Sequence, residues 1–84
     1  MEKDSIYNTG KTLIEDSVIT TSLKTSYFKD DFLKGMDIHI VTKNGVVTLS
    51  GEVTSNEDIY KAIKIAKEIE GVKDVTSNLE VTEL

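Results

Sequence analysis

Two runs in which apolar and polar residues alternate, Asp37 to Thr42 and Val46 to Val53, are separated by Lys43, Asn44 and Gly45. Period-two alternation is the signature of a half-buried strand, and Asn-Gly tolerates the positive φ that tight hairpins require. The chain is thereby committed to an antiparallel hairpin with one apolar face. Ile38 and Ile40 supply that face on the first strand; Val47, Leu49, Gly51 and Val53 supply it on the second. Gly51 in this inward row predicts a spot where a helix lies close to the sheet, or a bulge that bends the strand.

The segments on either side read as helices. Ser55 and Asn56 are good N-terminal caps, Glu57 and Asp58 complement the helix dipole, and Ile59, Ala62, Ile63, Ala66 and Ile69 form one continuous apolar stripe. Gly71 is the left-handed residue expected after the last turn, with Val72 packed just behind it. Upstream, Asp16 or Ser17 can cap a first helix in which Ile14, Val18, Ile19, Ser22, Leu23 and Tyr27 fall near helical spacing up to Phe28. Thr20, Thr21 and Thr25 are poor helix formers, so burial of the Ile19 and Leu23 side must carry this helix. Lys29, Asp30 and Asp31 end it, and Gly35 sits in the following loop. A third strand runs from about Asp74 to Val81, with Val75, Ser77, Leu79 and Val81 along one face.

The order helix, strand, strand, helix, strand describes an α+β fold. Strand, crossover helix and strand connect right-handedly, so the third strand runs parallel to the second, which pairs antiparallel with the first. Both helices then cover one face of a three-stranded mixed sheet. The spatial order is 1-2-3 or 2-1-3; the apolar content of the second strand (Val46, Val47, Leu49, Val53) favours placing it in the middle.

Composition bounds the rest. At 84 residues a second core is out of reach, since it would need roughly another fifty residues. The expected organisation is a tail over Met1 to Gly10 and a single domain over residues 11–84. Fifteen acidic residues against ten basic ones give a net charge of -5, and every basic residue is lysine. Without guanidinium forks or a basic surplus, nucleic-acid binding is excluded as a leading function. The absence of cysteine and the single histidine rule out a disulfide framework, a thiol nucleophile and a tetrahedral zinc set, and the scattered glycines build no phosphate cradle. No apolar stretch approaches the roughly twenty residues that span a bilayer. The N-terminal region also lacks the charged and apolar segments of a secretory leader, so the chain is expected to be either cytoplasmic or already trimmed.

Three blocks carry a family likeness: Glu15-Asp16-Ser17-Val18-Ile19-Thr20-Thr21-Ser22-Leu23-Lys24, Asn44-Gly45-Val46-Val47-Thr48-Leu49-Ser50-Gly51, and Ile69-Glu70-Gly71-Val72-Lys73-Asp74-Val75. In this order and spacing the chain resembles a BON domain (bacterial OsmY and nodulation) from about Gly10 to Val81. The resemblance implies an α-β-β-α-β domain of the bacterial periplasm or of envelope proteins, associated with osmotic stress and proposed to bind phospholipid or support the outer membrane. It implies no enzyme activity and no cofactor. The family's recurrent positions fall on the turn residues Asn44 and Gly45, and on Gly51, Gly71 and Val72; each has a structural role, so they speak for fold more than for function. Many members carry two such domains in tandem, whereas this chain holds one, so an activity needing a pair would come from oligomerisation or from sequence absent here. A periplasmic location would mean that a leader has been removed; a native Met1 would favour the cytoplasm.

Among chemistry-bearing residues, His39 sits beside Asp37 on the outward row of the first strand, where it lacks a nucleophile and an oxyanion site. Asp30-Asp31 and Glu57-Asp58 lack the spacing of a calcium loop and read as loop acid and helix N-terminal acid; no metal site is expected. On the second helix, Tyr60, Lys61, Lys64 and Lys67 share the face opposite the apolar stripe, an aromatic among lysines as in an interfacial anchor. The same lysines can instead form ordinary i, i+4 pairs, Glu57 with Lys61 and Lys64 with Glu68. A second candidate surface is Tyr27, Phe28, Phe32, Leu33 and Met36, more apolar side chains than a short loop needs. The expected function is a non-catalytic envelope module that contacts anionic phospholipid or an envelope protein. The alternative is a protein-interaction or weakly self-associating module with no lipid role.

Overall fold

The computed structural model describes residues 14–82, so the expected tail over Met1 to Gly10 lies outside the described residues. The elements are α1 (Asp16–Lys29), β1 (Asp37–Lys43), β2 (Val46–Val53), α2 (Asn56–Glu68) and β3 (Asp74–Val81). Asn44 and Gly45 take φ values of 53° and 83°. Two successive left-handed residues close β1 on β2 through a turn whose twist matches the strands. The antiparallel register sets Lys43 against Val46, Ile40 against Leu49 and Asp37 against Glu52. β3 joins the far side of β2 in parallel, Val47 opposite Val75 and Gly51 opposite Leu79. The sheet order is therefore β1-β2-β3, the α+β architecture read from the sequence, with the most apolar strand in the centre.

Central placement explains why Val47, Leu49 and Val53 are at most 1 % exposed. Ile19, Leu23 and Tyr27 of α1, Ala62 and Ala66 of α2, and Leu33 complete one buried cluster with Val47 and Leu49. Tyr27 belongs there because its hydroxyl donates to the Ala62 carbonyl at 2.6 Å. Burial pushes its phenol well above the ordinary range, since a phenolate there would be poorly solvated. Thr20 offsets its weak helix propensity by donating its hydroxyl to that of Thr42 at 2.8 Å, which ties α1 to β1.

Three local expectations need correction. Neither Asp16 nor Ser17 caps α1: the cap position is Glu15, and no side chain caps it. Asp16 lies in the first turn, and its carboxylate accepts the N–H groups of Asn44 at 2.8 Å and Gly45 at 3.0 Å. Backbone donors at a tight turn need a partner, and an acid at a helix N-terminus supplies one without losing the dipole interaction. Asp58 does more than complement the α2 dipole. It is buried and accepts the Thr54 hydroxyl at 2.9 Å, while its N–H donates to Oγ of Ser55, the expected cap, at 3.2 Å. Gly51, at φ 115°, is required by the neighbouring strand rather than by a helix, because a Cβ there would run into the Asp37 carbonyl. Gly71 adopts the expected left-handed conformation beside Ile14 and Ile19, and Val72 packs half-buried against the core.

Candidate functional site

The loop after α1 is organised by one side chain. Asp30 follows the last helical residue, and its Oδ1 accepts the N–H groups of Phe32 at 2.8 Å and Leu33 at 3.1 Å. Lys34 N–H donates to the Asp30 carbonyl at 2.9 Å and Met36 N–H to that of Leu33 at 2.9 Å, so the chain folds back tightly. Leu33 enters the core at 1 % exposure, and its neighbour Phe32 is left pointing outward at 65 %.

Lys61 of α2 reaches across to this loop. Its Nζ lies 3.0 Å from Asp30 Oδ2 and 4.5 Å from the centroid of the Phe32 ring. A cation over a ring face is attracted by the ring quadrupole, so the ammonium is held by two partners at once. Partial desolvation pushes the Asp30 carboxyl up, but the Lys61 ammonium and the Phe32 and Leu33 amides outweigh it and leave the group below its ordinary range. Tyr60, 73 % exposed, stands beside Lys61, and together with Asp30, Lys64, Ile65 and Glu68 they line a shallow groove of about 480 Å³. Two exposed rings thus neighbour Lys61, Phe32 under its ammonium and Tyr60 next to it in the chain, with Lys64 in the same groove as Tyr60 and Lys67 on the same helix.

The two candidate surfaces are only partly separate. Of the five apolar candidates, Tyr27 and Leu33 are core, Met36 is half-buried, and Phe28 and Phe32 are exposed. Phe32 joins the α2 lysines, while Phe28, at 75 % exposure, lines a different groove between α1 and β1. Lys61 does not pair with Glu57 as the helical spacing suggests, and no Lys64–Glu68 ion pair forms among the described residues. Asp30 is the member of this site that helical and strand periodicity could not reveal. Its role as a loop organiser is written locally, in the polar residue that ends α1, but its pairing with Lys61 is a tertiary contact.

Among the described residues no element covers the opposite face of the sheet. His39 Nε2 lies 3.3 Å from Asp37 Oδ1, both side chains largely exposed. The strand register sets Asp37, Glu52 and Glu80 in one row. Among the described residues no group of histidine, cysteine, aspartate or glutamate is placed to hold a metal ion, and no helix is long and apolar enough to cross a membrane.

The sequence is similar to known proteins over nearly all of its length. It is 40 % identical over 78 residues to "Osmotically-inducible protein Y" of Escherichia coli (strain K12), covering 93 % of this chain and 39 % of that one. It is 39 % identical over 61 residues to "Outer membrane lipoprotein DolP" of Haemophilus influenzae, covering 73 % of this chain and 31 % of that one. An uncharacterized protein of Anaplasma centrale is 32 % identical over 77 residues, covering 92 % of this chain and 50 % of that one. The chain thus spans between about a third and a half of the length of these relatives. The BON domain profile matches residues 15–83, from the residue that precedes α1 to beyond the end of β3. The chain belongs to the BON domain family.

Proposed function

We propose that the protein is a non-catalytic module of the bacterial envelope that touches anionic phospholipid headgroups through Phe32, Tyr60, Lys64 and Lys67. The observation that supports this reading is a largely exposed Phe32 ring held under Lys61, next to the exposed Tyr60 on a lysine-bearing helix face. Aromatic rings favour the headgroup level of a bilayer, and each lysine near an anionic surface contributes about 1 kcal/mol. Lys61 is already answered by Asp30, so Lys64 and Lys67 supply the lipid-facing charge. The net charge of -5 opposes strong attraction to an anionic membrane, and contact is therefore local, weak and salt-sensitive. A periplasmic location fits the family and the outer membrane assignment carried in the name of the Haemophilus relative. No nucleophile, base and electrostatic stabiliser converge on the patch, in keeping with a binding role.

Co-sedimentation with phosphatidylglycerol vesicles, against phosphatidylcholine vesicles, tests the proposal. The wild type should pellet with the anionic vesicles at low salt, and both physiological salt and the double change Lys64→Glu with Lys67→Glu should release it. Failure of the wild type to pellet at low salt would remove the lipid reading and leave a protein-interaction module.

A further inference from the structure

β1 is an edge strand, and its two-residue hairpin fixes which backbone groups face outward. The closing pair Lys43 and Val46 is hydrogen-bonded, and bonded and non-bonded pairs alternate from there. Val41, His39 and Asp37 therefore spend their N–H and C=O groups on β2, while Ile38, Ile40 and Thr42 aim theirs away from the sheet. Among the described residues no strand takes up these groups. Along its middle the edge is little protected: the strand has no proline and no charge in its inward row, and its charged residues, Asp37 and Lys43, stand at its two ends.

Along this same edge runs the groove that Phe28 lines. Ile38, Ile40 and Met36 line it as well, and Lys24 and Lys34 bring positive charge to it. Its volume, about 130 Å³, is close to the ~150 Å³ cavity that accommodates one benzene. One aliphatic or aromatic side chain fits such a slot. Lys34 pairs with Asp31 at 3.7 Å, but both side chains are mostly exposed, and such pairs contribute little. Lys24 makes no ion pair among the described residues. By the start of the other edge strand, β3, lies a more polar hollow lined by Lys67, Val72, Lys73 and Asp74.

We infer that the β1 edge binds an extended peptide by strand addition, with one apolar side chain in the α1–β1 groove and a carboxylate facing Lys24 and Lys34. The main chain of the peptide completes the outward groups of Ile38 and Ile40, which fixes its register, and the groove and the two lysines select its side chains. In a chain with net charge -5, two lysines at an apolar slot favour an acidic partner at this place only. This surface is separate from the Phe32 and Tyr60 patch, so either can fail without the other.

The test is selection of short random phage-displayed peptides on the wild-type protein, counter-selected on a Lys24→Glu, Lys34→Glu variant with an unchanged melting curve. Enriched peptides are then mapped by amide NMR and hydrogen exchange. The expected result is a shared pattern of an apolar residue with a nearby acid, and shift changes confined to the β1 edge and Lys24 to Phe28. Exchange at the Ile38 and Ile40 amides should slow. A proline in the pairing strand of the peptide should abolish binding, and the double variant should bind about tenfold more weakly. Lys64→Glu with Lys67→Glu should leave peptide binding unchanged. No enrichment over the variant, or shifts mapping to α2, would overturn the proposal. So would the same β1 shifts produced by phosphatidylglycerol vesicles alone, or by raising the protein's own concentration, which would assign the groove to an amphiphile or to a second copy.

Discussion

Lys61 lies 4.5 Å above the Phe32 ring, and this contact joins the loop after α1 to the exposed face of α2. The relationship has two effects. It holds an aromatic side chain in a fixed outward pose, and it withdraws one lysine from the charge that α2 presents to solvent. Lys61→Met should therefore loosen the loop without emptying the core, because Leu33 remains anchored at 1 % exposure. The change removes the ring contact, which contributes about 0.5 to 1 kcal/mol at a partly exposed site, together with the Asp30 ion pair, and urea unfolding should report a loss of at least that order. Unchanged stability would show that the contact is incidental.

Acid stability should depend on Asp30. Its folded carboxyl sits below the ordinary value of 3.8, because Lys61 and two amides favour the charged form. A depressed folded pKa contributes stability that is fully present above 3.8 and is lost as pH falls through the lower folded value. Asp30→Asn removes the titration, so the variant's stability should fall less steeply than the wild type's across that acid window. Parallel urea-unfolding profiles for the two proteins would contradict the assignment.

Tyr27 should control the alkaline side. Burial raises its phenol above the ordinary value of 10.0, so its contribution is complete below that value and is lost as pH rises towards the folded one. Phenolate absorbance from Tyr27 should appear only as the fold is lost, and Tyr27→Phe should remove that late step. Loss of the 2.6 Å bond to the Ala62 carbonyl should also cost about 1 kcal/mol of stability. A Tyr27 that titrates with the protein still folded would sink this reading.

Gly51→Ala should be the most damaging small substitution in the hairpin. It adds strain at φ 115° and drives a Cβ against the Asp37 carbonyl, backbone that can move only by shifting β1. A loss of about 2 to 3 kcal/mol in thermal or urea unfolding is expected. A loss of only the few tenths typical of surface positions would mean that the strand pair relaxes freely.

Most of the fold was legible because its signals are local. The Asn44–Gly45 turn, the alternation of Val47, Leu49 and Val53, and the Ser55 cap each act within a few residues, and the structure places them as the pattern predicts. The misreadings share one cause. Asp16 has the chemistry of a cap, but its carboxylate is taken by amides 28 and 29 residues away. Lys61 has a helical partner at Glu57, yet Asp30, 31 residues away, is the one it meets. Phe28, Phe32 and Leu33 are apolar in a stretch where helical periodicity ends, so sequence alone could not say that only Leu33 of the three turns inward. Long-range polar contacts depend on how two elements come to lie together, which periodicity does not encode.

Contact of Phe32, Tyr60 and the α2 lysines with a phospholipid surface can be read residue by residue by amide NMR with phosphatidylglycerol vesicles carrying a spin-labelled lipid. Amides of Phe32, Tyr60, Lys61, Lys64 and Lys67 should broaden first, while those of Thr48, Ser50 and Thr76 on the sheet face away from the helices stay sharp. Broadening centred on the sheet face, or none at low salt, would contradict it.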